Sequence, residues 1–408
     1  MKIKIAGYKN RVNNNSGFEL AYIYVSVKRY LLWRQQMKIR CLIFLISITL
    51  CINNKLTAQS DSSYAINGTV TESETKQPLE GVNVFLDGTT IGTTSDMNGF
   101  FEITNVKRGG YVLVLSMIGF SVESKKIEIP QRKFKSIEVV LKPKSYEMPV
   151  INVIASVDDE WADQYKKFLT NFIGDSENAE ECEILNKEQI NFTVERKTGE
   201  FSAHSNEWLE IINKALGYKV FFNIRDFSVS GRGETRYLGE IRFSELESDS
   251  AEEIYKWKLN RLKAHKGSLR HFLSALWKNK LFKEDFLIYE SETPNWKDLT
   301  KKNSFVPDVK QITQNISDWE KGLAVSNFIK VVYLKESEDE NFCDYRKSYG
   351  SKIESVLDKQ TSWFKLQQGF ITFDKSGNTL EENRAIKVYG YWGWQRIADL
   401  LPKDYVGE

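Results

Sequence analysis

Residues 63–142 consist of short runs of alternating apolar and polar residues, with turn residues every eight to twelve positions. Asp87-Gly88 predicts a two-residue hairpin turn that needs positive φ at both positions, and residues 96–99 predict another turn. The predicted strands are Tyr64–Thr71, 82–86, Thr89–Thr94, a strand led by Phe101 and Ile103, Tyr111–Met117, Phe120–Ile127 and Ile137–Leu141. About seven short strands without an intervening helix predict a two-sheet β-sandwich.

After a polar, Pro-containing connection at residues 142–156, the apolar positions recur with the period of a helix. The first predicted helix carries Trp161, Tyr165, Phe168, Leu169 and Phe172, and Gly174 ends it. Two further helices follow. Ser250 with Glu253 predicts a capping box for a helix with the apolar stripe Ile254, Trp257 and Leu262. Ser268 is predicted to cap a helix that carries Leu269, Phe272, Leu273 and Leu276.

Strand patterns surround these helices. They are Ile190–Val194, the hairpin of Tyr218–Ser230 with Glu234–Phe243 through Gly231–Gly233, and later Phe328–Leu334, Gly369–Phe373 and Ile386–Trp392, with a turn at 374–378. We therefore expect a β-rich chain, in which the sandwich at residues 63–142 is followed by a mixed α+β domain at residues 155–404.

Residues 37–58 have the order of a secretory signal peptide. A basic start at Met37–Arg40 precedes the apolar run Cys41–Ile52, and Ala58 is the small residue at the predicted cleavage site. The run is shorter than the roughly 20 residues of a membrane-spanning helix. We expect an exported protein, periplasmic or associated with the outer membrane, whose mature chain has no transmembrane helix. Residues 1–36 are interpreted as a mis-called upstream extension or, alternatively, as a long n-region.

Cleavage changes the charge of the chain. Residues 1–58 hold ten of the 57 Lys and Arg residues and one of the 55 acidic residues, so the net charge falls from +2 to −7. A mildly acidic protein has no global attraction to nucleic acid, which is therefore not an expected partner. Two cysteines remain, Cys182 and Cys343, and both a disulfide and two buried thiols fit this pair.

Four segments of the sandwich resemble the carboxypeptidase regulatory-like domain. They are Gly68-Thr69-Val70, Pro78–Val84, Gly92–Phe101 and Ser116–Phe120. The resemblance implies an Ig-like, transthyretin-like sandwich that has no catalytic residues of its own. Such domains are common at the N-termini of Gram-negative envelope proteins, including TonB-dependent receptors.

The second region resembles an uncharacterised family of envelope proteins that carry the same N-terminal module. The matching segments are Phe172–Gly174, Cys182–Asn186, Leu216–Tyr218, Gly267–Phe272, Val388–Trp392 and Leu401-Pro402. This resemblance implies a grouping but no mechanism.

The common catalytic and cofactor motifs are missing. His204, His265 and His271 are the three histidines, and none belongs to an H-E-x-x-H zinc motif. There is no G-x-S-x-G elbow and no phosphate-binding loop. We predict no catalytic residue, no cofactor and no metal, although the acidic runs 158–160 and 180–183 leave a carboxylate-dependent hydrolase open.

One cluster of basic residues stands out in the acidic mature chain. With Trp257 and Trp277 among them, these residues form a predicted contact for an anionic envelope partner such as lipid headgroups or acidic glycan, although a solvated helix face fits them as well. They are Lys256, Lys258, Arg261, Lys263, Lys266, Arg270, Lys278, Lys280 and Lys283.

Two functions remain after these exclusions. The favoured hypothesis is a non-catalytic binding or scaffolding role in the cell envelope, with an envelope protein, a glycan or an anionic lipid as partner. The alternative is a carboxylate-dependent envelope hydrolase that acts on glycan or peptide.

The signal peptide gives the first prediction. Protein isolated from an envelope fraction should begin at Gln59, because cleavage follows the small residue Ala58. N-terminal sequencing checks this. Soluble cytoplasmic protein that still carries residues 1–36 would contradict it.

Overall fold

Two small sheets pack face to face at the N-terminal end of the described chain. One sheet has the strand order β4-β1-β7, with β1 and β7 parallel, and the other has the order β3-β2-β5-β6. The strands are β1 Tyr64–Glu72, β2 Asn83–Leu86, β3 Gly92–Thr94, β4 Phe100–Val106, β5 Gly109–Ser116, β6 Glu123–Ile129 and β7 Ile137–Leu141. The predicted seven-stranded sandwich is confirmed.

Alternate residues of these strands form the core between the two sheets. Val70, Val84, Phe101 and Leu115 are among its fully buried members, as expected for strands with one face inward. The turn at residues 96–99 is held by the Asp96 side chain, whose Oδ1 accepts the backbone N–H groups of Asn98 and Phe100 at 2.9 and 2.8 Å.

The prediction for Asp87-Gly88 was wrong in one respect. Only Gly88 has a positive φ, +76°, and the connection runs on to β3 at Gly92. The loop is longer than a two-residue turn because it contacts the rest of the protein, as described below.

The structure, a computed structural model, describes residues 63–129, 136–144, 157–294, 304–305, 309–348, 359–379 and 385–407. The predicted extension at 1–36, the signal peptide at 37–58 and most of the connection at 142–156 lie outside these residues. The domain boundaries inferred from the sequence remain predictions. Residues 61–408 form one compact unit.

A six-stranded antiparallel sheet with a helix across it begins the second region. The order is β8-β11-β12-β10-β9, and β13 also pairs with β12. Phe168 and Phe172 of the helix are fully buried against this sheet. The elements are α1 Val157–Phe172, β8 Cys182–Ile184, β9 Ile190–Val194, β10 Phe201–Ser205, β11 Leu209–Asn213, β12 Tyr218–Val229 and β13 Thr235–Glu245.

The next helix, α2 (Ala251–His265), is anchored by hydrogen bonds to the turn between β11 and β12. Trp257 Nε1 donates to the carbonyl of Lys214 at 2.8 Å, and Arg261 Nε donates to the carbonyl of Leu216 at 2.7 Å. Gly217 has a φ of +68°, and a Cβ there would lie 2.3 Å from the Trp257 ring. The turn therefore needs glycine for its dihedral and for the close approach of the ring.

Two details of α2 differ from the prediction. Ile254 of the predicted stripe is 37% exposed, because the buried face is centred on Trp257 and Ala264. Ser250 does cap Glu253 N–H, but the Glu253 carboxylate accepts from Ser248 Oγ instead of completing the box.

A third core lies between helix α3 and a five-stranded sheet of order β15-β14-β18-β19-β21. A three-stranded sheet, β16-β17-β20, adjoins it. The elements are α3 Leu269–Trp277, β14 Phe286–Ser291, β15 Ser304–Phe305, β16 Thr313–Asn315, β17 Lys321–Ala324, β18 Phe328–Ser337, α4 Glu340–Ser348, β19 Lys359–Leu366, β20 Phe370–Phe373, β21 Ile386–Gly390 and α5 Tyr391–Trp394. The predicted mixed α+β region is confirmed.

The predicted strand Ile386–Trp392 is shorter than expected. It ends at Gly390, whose φ of +73° turns the chain into the short helix α5. A Cβ at Gly390 would lie 2.5 Å from the carbonyl oxygen of Thr361, so glycine is required at this change of direction.

The sandwich joins the second region through the loop after β2. Gly88 N–H donates to the carbonyl of Ile241 at 2.7 Å, and Phe243 N–H donates to that of Thr89 at 3.0 Å. Asp87 Oδ1 accepts from Ile241 N–H at 2.9 Å. The loop thus covers the edge of β13 that β12 leaves unpaired. We call this contact the joint: residues 87–90, 241–243 and 403–404.

The C-terminal segment closes the joint from its other side. Lys403 N–H donates to the Gly88 carbonyl at 2.7 Å, and Lys403 Nζ lies 3.2 Å from Asp87 Oδ2. Asp404 Oδ1 accepts from Thr90 N–H at 3.0 Å. Residues from three distant parts of the sequence therefore hold one another in place.

The same segment covers His265 at the end of α2. The His265 ring lies 5.8 Å from that of Tyr405 and 5.3 Å from that of His271, measured between ring centroids. Burial, together with the positive charges of Arg270 and His271, lowers the pKa of His265 to about 3. The neutral imidazole is therefore the form that fits this site.

The joint should be weakened by Asp87→Ala. The change removes the acceptor of Ile241 N–H and the partner of Lys403, at a cost of about 1–3 kcal/mol in unfolding free energy. It should also speed hydrogen exchange at the amides of Gly88 and Phe243. Asp96→Ala is the control, since Asp96 holds a turn within the sandwich. Equal exchange at the joint in both variants would contradict the assignment.

The buried His265 should lower the free energy of unfolding as the solution becomes acidic. Because its folded-state pKa lies below its ordinary value of 6.5, its contribution is present above pH 6.5 and is lost as the pH falls towards 3. His265→Gln should reduce the loss between pH 7 and pH 4 by about 2–3 kcal/mol. Urea unfolding at several pH values measures this, with exposed His204→Gln as control. Parallel pH profiles for wild type and His265→Gln would refute the prediction.

Candidate functional site

A cleft of about 440 Å³ lies between the sandwich and the six-stranded sheet. Strand β2 and the segment after β5 form one wall, and residues around β11, β12 and β13 form the other. This volume is in the range of roughly 300–1,000 Å³ that small-molecule sites occupy. The cleft is the candidate functional site.

Trp208 is an aromatic residue of the second wall, and hydrogen bonds from Asn186 hold its segment. Asn186 Nδ2 donates to the Trp208 carbonyl at 2.9 Å, and Asn186 Oδ1 accepts from Glu210 N–H at 2.9 Å. The Trp208 ring lies edge-on to Phe85 of β2, with 5.7 Å between centroids. The backbone around Trp208 is thus held by hydrogen bonds and its ring by the contact with Phe85, and such preorganisation lowers the cost of binding.

Arg242 of β13 lies between aromatic rings of the two walls. Its guanidinium carbon is 4.2 Å from the centroid of Phe221 and 5.7 Å from that of Phe85. Burial lowers the pKa of Arg242, and the Glu210 carboxylate opposes that shift. Glu210 also forms an ion pair with Lys219 at 2.6 Å.

The sandwich wall includes the segment Ser116–Phe120, part of the resemblance to the carboxypeptidase regulatory-like domain. Ile118 is 85% exposed at the rim of the cleft. Lys144 Nζ donates to the carbonyl of Asn206 at 2.7 Å and so connects the two walls a second time.

The structure separates the nine residues of the predicted basic cluster. Arg261 is 11% exposed, and its guanidinium lies 3.9 Å from the Tyr218 ring centroid and donates to two backbone carbonyls. Arg270 donates to the carbonyls of Pro402 and Tyr405 at 2.5 and 2.6 Å. Both arginines thus stabilise the fold, a role that the run of charges did not indicate.

Two lysines of the cluster are ion-paired. Lys256 lies 2.7 Å from Glu181 Oε2, and Lys263 lies 2.7 Å from Glu177 Oε2. In the part of the chain that the structure describes, no ion pair involves the remaining members, Lys258, Lys266, Lys278, Lys280 and Lys283. Of these, Lys278, Lys280 and Lys283 are exposed just after α3.

The other candidates from the sequence lie outside the cleft. The run 158–160 belongs to α1, and 180–183 leads into β8. The two carboxylates that do line the cleft are Glu207 and Glu210, which the sequence did not single out. Among the described residues, no group of three His, Cys, Asp or Glu side chains could hold a metal ion.

Cys182 and Cys343 are both free thiols in the structure. Burial raises the pKa of Cys182 to about 12, with the carboxylates of Asp399 and Glu181 adding to the shift. Burial also raises the pKa of Cys343. A nucleophilic cysteine needs the opposite shift, so neither thiol is activated.

Sequence reasoning missed the cleft because its residues come from seven separate segments. Trp208 sits between two short strands in a stretch without a motif. One signal was available in the sequence. Ser116–Phe120 resembles one family and Cys182–Asn186 resembles another, and residues from both segments line this cleft.

Comparison with known proteins identifies the first of these segments. The family model described as "CarboxypepD_reg-like domain" matches residues 66–153. This match covers the sandwich and the wall that it contributes to the cleft.

Two receptors from Formosa agariphila are similar to part of the chain. TonB-dependent receptor P39 is 34% identical over 110 residues, which are 27% of this chain and 10% of that protein. TonB-dependent receptor P3 is 37% identical over 89 residues, 22% of this chain and 8% of that protein. The chain thus spans about a tenth of the length of these relatives.

A solved structure of a putative membrane-associated protein of unknown function from Bacteroides fragilis is 14% identical, with a TM-score of 0.17. The match covers 46% of this chain and 84% of that one. A TM-score this low assigns no fold. The match to the family model does assign one region: residues 66–153 are a CarboxypepD_reg-like domain, a type of domain that TonB-dependent receptors carry.

Proposed function

We propose that this chain is an exported, non-catalytic binding protein of the cell envelope, and that the cleft is its binding site. The observation that carries the proposal is the cleft itself, whose walls come from a receptor-type domain and a second region and are tied together at the joint. A concave cleft lined by aromatic and polar side chains is suited to holding a ligand.

The envelope location rests on the predicted signal peptide and on the relatives. TonB-dependent receptors carry the same domain type. Within the described residues, no helix is long and apolar enough to cross a membrane.

Carboxylate-dependent hydrolysis is the second candidate, and one observation favours it. Glu207 and Glu210 both line the cleft, and glycoside hydrolysis needs two carboxyl groups facing one substrate. Against this, Glu210 is engaged by Lys219 at 2.6 Å and Glu207 belongs to the turn that carries Trp208. We therefore favour binding without turnover.

The basic cluster remains part of the proposal in a reduced form. We propose Lys278, Lys280 and Lys283, which follow α3, as an auxiliary contact for anionic envelope material, since like charges exposed together attract anions. We call these three residues the lysine surface. Of the other six residues of the cluster, four are engaged within the protein, Lys266 is only partly exposed, and the exposed Lys258 lies on α2, apart in sequence from these three.

Trp208→Ala should weaken binding of the full chain to isolated cell envelopes by about tenfold, because a large aromatic contact surface of the cleft is lost. Co-sedimentation with envelope fragments measures this. Trp319→Ala is the matched control, since Trp319 is also half-buried but does not line the cleft. A triple change of Lys278, Lys280 and Lys283 to Gln should have a smaller effect that grows at low salt.

Three results would decide against parts of this proposal. If binding depended on the lysine surface and not on Trp208, the contact with envelope material would lie at the lysine surface and not in the cleft. New reducing ends or free amines in the supernatant, absent with the double variant Glu207→Gln, Glu210→Gln, would establish the hydrolase instead. If all variants sedimented equally with the envelope fragments, neither the cleft nor the lysine surface would be the binding site.

A further inference from the structure

The charges along the cleft cancel. Lys144 and Arg242 are the cations of its lining, and Glu207 and Glu210 are the anions. Glu210 acts electrostatically on Arg242, and Lys144 donates to the Asn206 carbonyl. A charged ligand would meet as much repulsion as attraction here, so the lining fits an uncharged one.

Aromatic side chains line both walls of the cleft. Trp208 comes from the second region and Phe120 from the sandwich, whereas the Phe221 ring already contacts two cations, with Arg242 4.2 Å and Lys219 5.0 Å from its centroid. Ile118, 85% exposed at the rim, extends the apolar surface towards solvent. Such faces accept the C–H side of a ring rather than a hydroxyl-rich edge.

Of the five amide side chains that line the cleft, two (Asn186 and Asn223) are hydrogen-bonded within the protein. Asn83, Gln189 and Asn206 line the cleft, and no side-chain hydrogen bond to any of them occurs within the described part of the chain. An amide offers two N–H donors and a carbonyl acceptor. Hydroxyl groups, which both donate and accept, are the natural partners of such a set.

An extended peptide would need something that the cleft lacks. Peptides that add to a sheet pair with a free strand edge. Strand β2 lies between β3 and β5, β11 between β8 and β12, and the β13 edge at residues 241–243 is covered by the joint. Recognition in the cleft therefore depends on side chains.

We propose that the cleft binds a short, neutral oligosaccharide, with a sugar ring stacked on Trp208 and hydroxyl groups hydrogen-bonded to Asn83, Gln189 and Asn206. A sugar ring has an apolar C–H face bordered by hydroxyls, which matches flat aromatic faces bordered by amides. The inference rests on the proposed binding function and names the ligand class.

The test is titration of the full chain with cellobiose, maltose and N,N′-diacetylchitobiose, followed by calorimetry or by ligand-observed NMR. At least one disaccharide should bind. Trp208→Ala should weaken that binding at least about tenfold, Gln189→Ala about three- to tenfold, and Trp208→Phe should retain most of it. Trp319→Ala should bind as the wild type does, and unfolding midpoints establish that each variant is folded.

The outcomes separate this inference from the proposed function. If none of the three disaccharides binds but a tetra-alanine peptide does, and Trp208→Ala abolishes that binding, the cleft is a binding site for a different ligand class and the oligosaccharide inference is overturned. If dextran sulfate binds while the neutral sugars do not, charge neutrality of the ligand is refuted. If no probe binds and the envelope binding is unaffected by Trp208→Ala, both proposals fail.

Discussion

The edge of strand β13 is the constraint on which the arrangement of this protein depends. A strand paired on one side only leaves backbone N–H and C=O groups that must find partners when they are covered. At residues 241–243 the loop 87–90 of the sandwich supplies those partners, and Lys403 and Asp404 fix the loop from behind. The pairing at this edge joins the core of the sandwich to the core beneath the six-stranded sheet, and a cleft lies beside the contact.

The side chains that line the cleft are held by contacts of their own. Asn186 holds the Trp208 segment through two hydrogen bonds, and Arg242 is stacked between aromatic rings of both walls. The contacts that hold the Trp208 segment and Arg242 do not have to form when a ligand binds, which lowers the cost of binding. The two cysteines also give no support to catalysis, since burial raises the pKa of both thiols and so opposes their use as nucleophiles.

Local features of this fold were predictable from the sequence. The strands of the sandwich, the Asp96 turn, helix α1 and the Ser268 cap follow from residue period and turn chemistry over a few positions. The joint was not predictable, because Asp87 and Ile241 are 154 residues apart. The role of Arg270 was not predictable either. Its neighbouring lysines placed it in a charge cluster, but its partners are backbone carbonyls 132 and 135 residues away. Period and charge along a chain do not reveal such long-range partners.

The central claim is that the joint sets the shape of the binding cleft. The most direct test is the affinity of Asp87→Ala for the disaccharide that the wild-type protein binds most tightly, compared with Asp96→Ala. Asp87 does not line the cleft, so its replacement can affect binding only through the joint. If the joint sets the shape of the cleft, Asp87→Ala should bind several times more weakly, while Asp96→Ala should bind as the wild type does. Equal affinities for all three proteins would show that the cleft does not depend on the joint.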